Sequence, residues 1–163
     1  MWFRKPKSSP AAVAKELREN VFMVGPEELG LAAAAGHQNA WAVLMETGLP
    51  DAVVTLACIA DGTASMYFSK GGGFLGGGEL PAVRDASAKF IALVDSRIAD
   101  FAETTDHPLP AVGQVAFYVR TFSGLRSAHG DSQDLARPTH ALSAIFRAGH
   151  GVITAFRESG KFQ

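Results

Sequence analysis

Cys58 is the only cysteine in this 163-residue chain, so no disulfide can close within it and no multi-cysteine zinc site can form. Charge is scarce as well. Charged residues make up 19% of the chain and nearly cancel, leaving a formal net charge of −1, which excludes a uniformly basic nucleic-acid surface. Long apolar runs are missing although 47% of residues are hydrophobic. No window reaches the roughly eighteen apolar residues of a membrane span. The basic start, Met1 to Lys7, is not followed by the apolar stretch of about 7–15 residues that a secretory signal needs. These absences lead to the expectation of a cytoplasmic protein with one packed domain over residues 1–163. Residues 1–8, with Trp2, Phe3, Arg4, Lys5 and Lys7, read as a flexible basic tip.

The recognisable catalytic signatures are also missing. The chain has no G-x-S-x-G elbow, no H-E-x-x-H, no phosphate-binding Walker loop and no paired zinc ligands. No catalytic residue, metal or cofactor is therefore assigned. The charge that exists is unevenly spread, with balances of +3 over residues 1–20, −5 over 21–79, −2 over 80–110 and +3 over 111–163. A partner at one end would meet a different field from a partner at the middle.

What is present reads as alternating helices and strands. Ser9-Pro10 starts a first helix, whose Val13, Leu17 and Val21 recur on one face. Pro26-Glu27-Glu28 starts a second, ending near Gly36. Residues 31–47 read either as one helix built on Ala32–Ala35 or as a helix followed by a strand, Trp41–Thr47. The alternation of Trp41, Val43 and Met45 favours the strand. Val53–Ala60 is nearly all apolar, as a central strand covered on both faces would be. Asp61-Gly62 then joins it to the alternating Thr63–Ser69, which predicts a hairpin with a type I′ turn and an exposed polar face of Thr63, Ser65 and Tyr67. A long helix from Pro81 to near Thr104 buries Val83, Phe90, Val94, Ile98 and Phe101. The hairpin Val115–Thr121 with Leu125–Ala128 follows. A last helix starts between Asp134 and Pro138 and carries Leu142, Ile145, Phe146, Gly149, Ile153 and Phe156 on its buried stripe. The expected fold is α+β: a five-stranded antiparallel sheet, three strands then two, with helices packed mainly on one face.

The most unusual segment is Gly71-Gly72-Gly73-Phe74-Leu75-Gly76-Gly77-Gly78. Gly71-x-Gly73-x-x-Gly76 matches the dinucleotide fingerprint, but its strand belongs to an antiparallel hairpin where the fingerprint needs a parallel βαβ unit. Glu79 also puts negative charge where a phosphate would lie. An anion site built from Lys70, Gly71, Gly72, Gly73, Gly76, Gly77 and Gly78 is one reading; a close-packing connection is the other. His129, Asp131 and Asp134 could hold a metal or orient a base, or Asp131 or Asp134 could cap the last helix. His140 and His150 are too far apart on one helix to share a metal. Gly149-His150-Gly151 implies close approach of the sheet or of a second subunit. Cys58 reads as a small core hydrophobe.

Five antiparallel strands with long helices on one face resemble the Roadblock/dynein-light-chain and profilin-like group, over roughly residues 40–158 and at the level of element type. In that group two strands usually precede the central helix and three follow, whereas here three precede and two follow. The resemblance implies a small cytoplasmic interaction module, often dimeric, without catalytic residues, and it carries no functional residue across. The stretch from Asp61 to Ser69 followed by Gly71–Gly78 also resembles small bacterial proteins of unknown function. The expected function is a non-enzymatic protein-interaction module whose partner is itself, as a homodimer, or another protein. A sensor using the glycine loop competes with it, and a hydrolase or transferase using His129 and Asp131 stands third.

Overall fold

The computed structural model describes residues 9–159, so the basic tip expected over residues 1–8 lies outside the described residues. The first helix, α1 (Pro10–Met23), starts as its sequence dictates: the Ser9 hydroxyl accepts a hydrogen bond from the Ala12 amide at 3.1 Å, with Pro10 in the first turn. The helix expected from Pro26 is only a single 3₁₀ turn, Pro26–Leu29, closed by Gly30 in the left-handed conformation. The chain then runs irregularly to Ala40, held by the Asp95 carboxylate, which accepts from the amides of Gln38, Asn39 and Ala40 at 2.7–3.0 Å. Burial alone would raise the pKa of Asp95, but those three amides outweigh it and hold the group below its ordinary value.

Seven strands follow: β1 (Ala40–Gly48), β2 (Val53–Ile59), β3 (Ala64–Phe68), β4 (Gly73–Phe74), β5 (Ala102–Thr104), β6 (Gln114–Thr121) and β7 (Gly124–Asp131). Between them stand α2 (Pro81–Ser96), and after them α3 (Ser132–Leu135) and α4 (Ser143–Glu158). All strands belong to one antiparallel sheet in the order β4-β3-β2-β1-β6-β7-β5. The α+β class and the antiparallel sheet agree with the sequence reading, but the sheet has seven strands, not five. Both additional strands form the edges and are only two and three residues long, too short to show a period of two. β4 lies inside the glycine stretch. β5 lies in what the apolar spacing assigned to the tail of the long helix, because α2 ends at Ser96 and a 3₁₀ turn at Ile98–Asp100 redirects the chain. Phe101 is still buried, but from outside the helix. The last helix likewise divides into α3 and a later-starting α4.

Helices were expected mainly on one face; α2 and α4 share one face, and α1 takes the other. α2 and α4 press Val83, Phe90, Val94, Ile145, Val152 and Phe156 onto Val43, Met45, Val115, Phe117 and Val119. α1 lies across the other face over Leu44, Ala57, Ala116 and Tyr118. The reason is the centre of the sheet: every residue of β1 except Thr47 is buried, so both sides of it need a cover. The β2–β3 turn also differs from expectation. Among the described residues no non-glycine has positive φ, so Asp61 cannot occupy a type I′ turn. Gly62 alone takes the left-handed conformation, its amide donates to the Ile59 carbonyl, and Asp61 Oδ1 accepts from the Thr63 amide. Among the described residues no helix is long and apolar enough to cross a membrane.

Candidate functional site

The face of α1 turned toward the sheet is Ala14, Leu17, Arg18, Val21 and Phe22, spaced as one helical stripe. Val13, expected on that stripe, is 42% exposed. A cation in the middle of an otherwise apolar stripe must find an anion or water. Beneath it, Glu46, Thr55 and Tyr67 stand opposite one another across β1, β2 and β3. Glu46 is fully buried. Arg18 grips it with two parallel hydrogen bonds, Nε to Oε2 and Nη2 to Oε1, both 2.8 Å, and Thr55 Oγ1 donates to Oε2 at 2.6 Å. This fork is the geometry in which guanidinium and carboxylate bind most strongly. Burial alone would lower the pKa of Arg18, but Glu46 reverses that and holds it above its ordinary value.

Arg18 also donates through Nη2 to the His107 carbonyl, which ties the 104–110 loop to the helix. The His107 ring stacks on Phe22 with centroids 3.8 Å apart and planes 14° from parallel. Tyr118 stands edge-on to both rings and donates its hydroxyl to the Pro108 carbonyl. Burial, then the charge of Glu46, pushes the Tyr118 hydroxyl up to about 12, with Arg18 pulling the other way. Burial first, and the charge of Arg18 second, lower the pKa of His107 against weaker opposite pulls from Glu46, Asp106 and Glu19. A histidine whose folded pKa is depressed contributes stability that is present above its unfolded value of about 6.5 and lost as pH falls through the folded value. His150, also lowered by burial and by Arg157, acts in the same sense. Urea unfolding across that range is expected to show stability falling toward acid, with a shallower slope for His107→Phe, which keeps the stack on Phe22. An unchanged slope would remove His107 from this account.

Between the first half of α1 and the sheet lies a cleft of about 400 Å³. Ala11 and Ala14 form its roof, Thr55 and Tyr67 its floor, and Lys15 and Leu109 are also among its lining residues. Two smaller clefts, of about 320 and 270 Å³, also border Tyr67, which thus lies under the helix at the centre of all three. Tyr67 is only 4% exposed, yet its hydroxyl finds no hydrogen-bond partner among the described residues. Burial first, then the charge of Glu46, raises its pKa, so at neutral pH it remains an O–H. The face expected to be exposed in the meander is therefore in part the floor of a cleft.

The glycine loop lies at the neighbouring sheet edge. Lys70 pairs with Asp51 at 2.6 Å, both side chains well exposed. The Gly71 amide donates to the Phe68 carbonyl, and the amides of Glu79 and Leu80 donate to Gly76 and Gly77. Gly73 belongs to β4, and Gly72 accepts from the Phe68 amide. Side chains at four of these positions would collide: a Cβ at Gly71 would come within 2.2 Å of Pro10, at Gly73 within 2.3 Å of the Met66 carbonyl, at Gly77 within 2.4 Å of the Phe156 ring, and at Gly78 within 2.1 Å of the Gly62 carbonyl. Gly72 and Gly76 face open space. The loop thus packs α1, the β2–β3 turn and α4 together, with Asp51 on Lys70 and Arg84 Nε of α2 donating to the Gly78 carbonyl at 2.8 Å.

Asp131 caps α3, accepting from the amides of Gln133 and Asp134 at 2.9 and 3.3 Å, while His129 stands edge-on to Tyr118. Among the described residues no three histidine, cysteine or acidic side chains are grouped to hold a metal. Cys58 is buried, and burial pushes its thiol up to about 12, which keeps it protonated. Gly149 is explained within the chain, since a Cβ there would lie 2.5 Å from the Met45 sulfur. Comparison with protein-family models, curated proteins and solved structures finds no match for this chain.

The sequence reading missed the Arg18–Glu46–Thr55 cluster and Tyr67. Two signals were there to use: Arg18 sits four residues after Ala14 and four before Phe22, and Glu46 is the one acid in an apolar strand.

Proposed function

We propose that this chain is a small-molecule-binding module whose site is the cleft roofed by α1. The observation that carries the reading is Tyr67: a buried hydroxyl without a partner, in a cleft whose other walls are mostly apolar or already paired. Leaving such a group unpaired costs about 1–3 kcal/mol, a cost that a ligand with a matching acceptor removes. The volume lies within the usual range for small-molecule sites, at its lower end. The charge of Arg18 is already balanced by Glu46, so the inner cleft favours a neutral, largely apolar ligand carrying one acceptor, such as a ketone, ester or ether.

The experiment is Tyr67→Phe, which keeps the ring and removes the hydroxyl. The free protein is expected to gain about 1 kcal/mol of stability, while binding of a hit from a panel of small ketones and esters weakens about tenfold. Loss of stability together with unchanged binding would overturn the reading. Self-association was expected from the glycine-containing last helix and from free sheet edges. Gly149 has an intrachain reason, and the edges are strands of two and three residues, so the cleft is the better supported reading.

A further inference from the structure

A second concavity, of about 830 Å³, lies beyond the last turn of α1, over β5, β6 and β7, and shares no lining residue with the cleft above. Arg120 lines it. This guanidinium is half-buried, and its burial is not offset by any carboxylate within ion-pair distance among the described residues. It donates only through Nη1, to the Val21 carbonyl at 2.7 Å, and lies 4.7 Å from the centroid of the Trp41 ring. Those two contacts fix the plane of the group and leave the Nε–Nη2 edge without a partner among the described residues. That edge is the two-donor fork that fits a pair of carboxylate or phosphate oxygens.

The surroundings suit an anion. Arg126 lies in the same groove, anchored through Nη1 to the Phe101 carbonyl and 3.7 Å from the exposed carboxylate of Glu103. Thr105 and Ser123 add hydroxyls, and His107 is held neutral by its burial and by Arg18. Two arginines against one exposed acid leave an excess of positive charge, in the segment whose sequence balance is +3. We infer that this groove is an anion-binding site for a small carboxylate- or phosphate-bearing molecule, with Arg120 as its bidentate partner.

The test is titration of the full chain with inorganic phosphate and with citrate at constant ionic strength, followed by amide shifts in NMR. Binding is expected to move amides of β6, β7 and the 121–124 turn. Arg120→Gln is expected to weaken it at least about tenfold, the scale of one charge-assisted pair. Because Arg120 also steadies the end of α1, that variant can fail to fold. Glu103→Gln supplies the independent arm, since Glu103 is 85% exposed at its side chain and its loss leaves the core untouched. Removing the groove's own carboxylate is expected to tighten anion binding about two- to fivefold at low salt, with the gain shrinking as salt rises. No shift with either anion, shifts elsewhere, an Arg120→Gln protein that folds and binds as before, or a Glu103→Gln protein that binds no tighter would each overturn the inference.

Discussion

Arg18→Ala is expected to cost about 3–5 kcal/mol of folding stability, the usual result of removing one partner from a buried ion pair. The magnitude follows from where the charge is left. Glu46 is fully buried at the centre of the sheet, and with Arg18 gone only the Thr55 hydroxyl would remain on its carboxylate. The carboxylate must then take up a proton or draw in water, and α1 loses its ion pair with β1, keeping the bond from Arg120 to the Val21 carbonyl. Since a domain of this kind holds about 5–15 kcal/mol in all, the loss is a large part of the total. The double substitution Arg18→Met with Glu46→Leu removes both charges at similar volume and is expected to recover most of it, because hydrophobic replacement of a buried pair is often neutral or better. Equilibrium urea unfolding of the three proteins decides the matter. An Arg18→Ala protein within about 1 kcal/mol of the parent would mean that the pair is hydrated in solution and that α1 is held by other contacts.

Gly78→Ala is the second large effect. Its Cβ would lie 2.1 Å from the Gly62 carbonyl oxygen and 3.0 Å from the carbonyl carbon. Both are backbone atoms of the β2–β3 turn, so no rotamer change relieves the clash, and the turn cannot shift without disturbing the left-handed Gly62. Overpacking of this sort costs about 1–3 kcal/mol and sometimes more, or roughly 2–12 °C in the unfolding midpoint for a domain of this size. Gly76 is the control. It has φ of 78° but open space around it, so alanine there carries only conformational strain, about 1 kcal/mol. Thermal unfolding should therefore rank Gly78→Ala well below Gly76→Ala. Equal midpoints would show that the loop does not pack against the turn, and would restore the alternative that its glycines exist to expose backbone amides to a ligand.

The fold and the site were legible to different degrees for a physical reason. Strands β2, β3 and β6 announce themselves because their side chains leave a pattern, and the stripe Val83, Phe90 and Val94 marks α2. By contrast, β1 competed with a helix over residues 31–47, and β7 was legible only over Leu125–Ala128, its burial showing no alternation. The ends of elements were less legible. Phe101 continues the apolar spacing of α2 although the chain has already left the helix, because a buried side chain leaves the same mark whichever backbone delivers it. The pair Arg18 and Glu46, separated by 28 positions, has no local signature as a pair. Each residue is odd in its own element, and only the crossing of α1 over β1 joins the two anomalies.

The sequence by itself determined the α+β class, the antiparallel hairpins, the absence of a disulfide framework and the apolar faces of α2 and α4. These follow from local periodicity, turn chemistry and composition, which act over a few residues and do not depend on what packs where. Only the tertiary structure decided that α1 covers the second face, that Tyr67 is buried beneath it without a partner, and that Arg120 keeps one donor edge open in a groove. Those are statements about which distant surfaces meet and which hydrogen-bonding groups are left over, and that remainder exists only once the whole chain has packed.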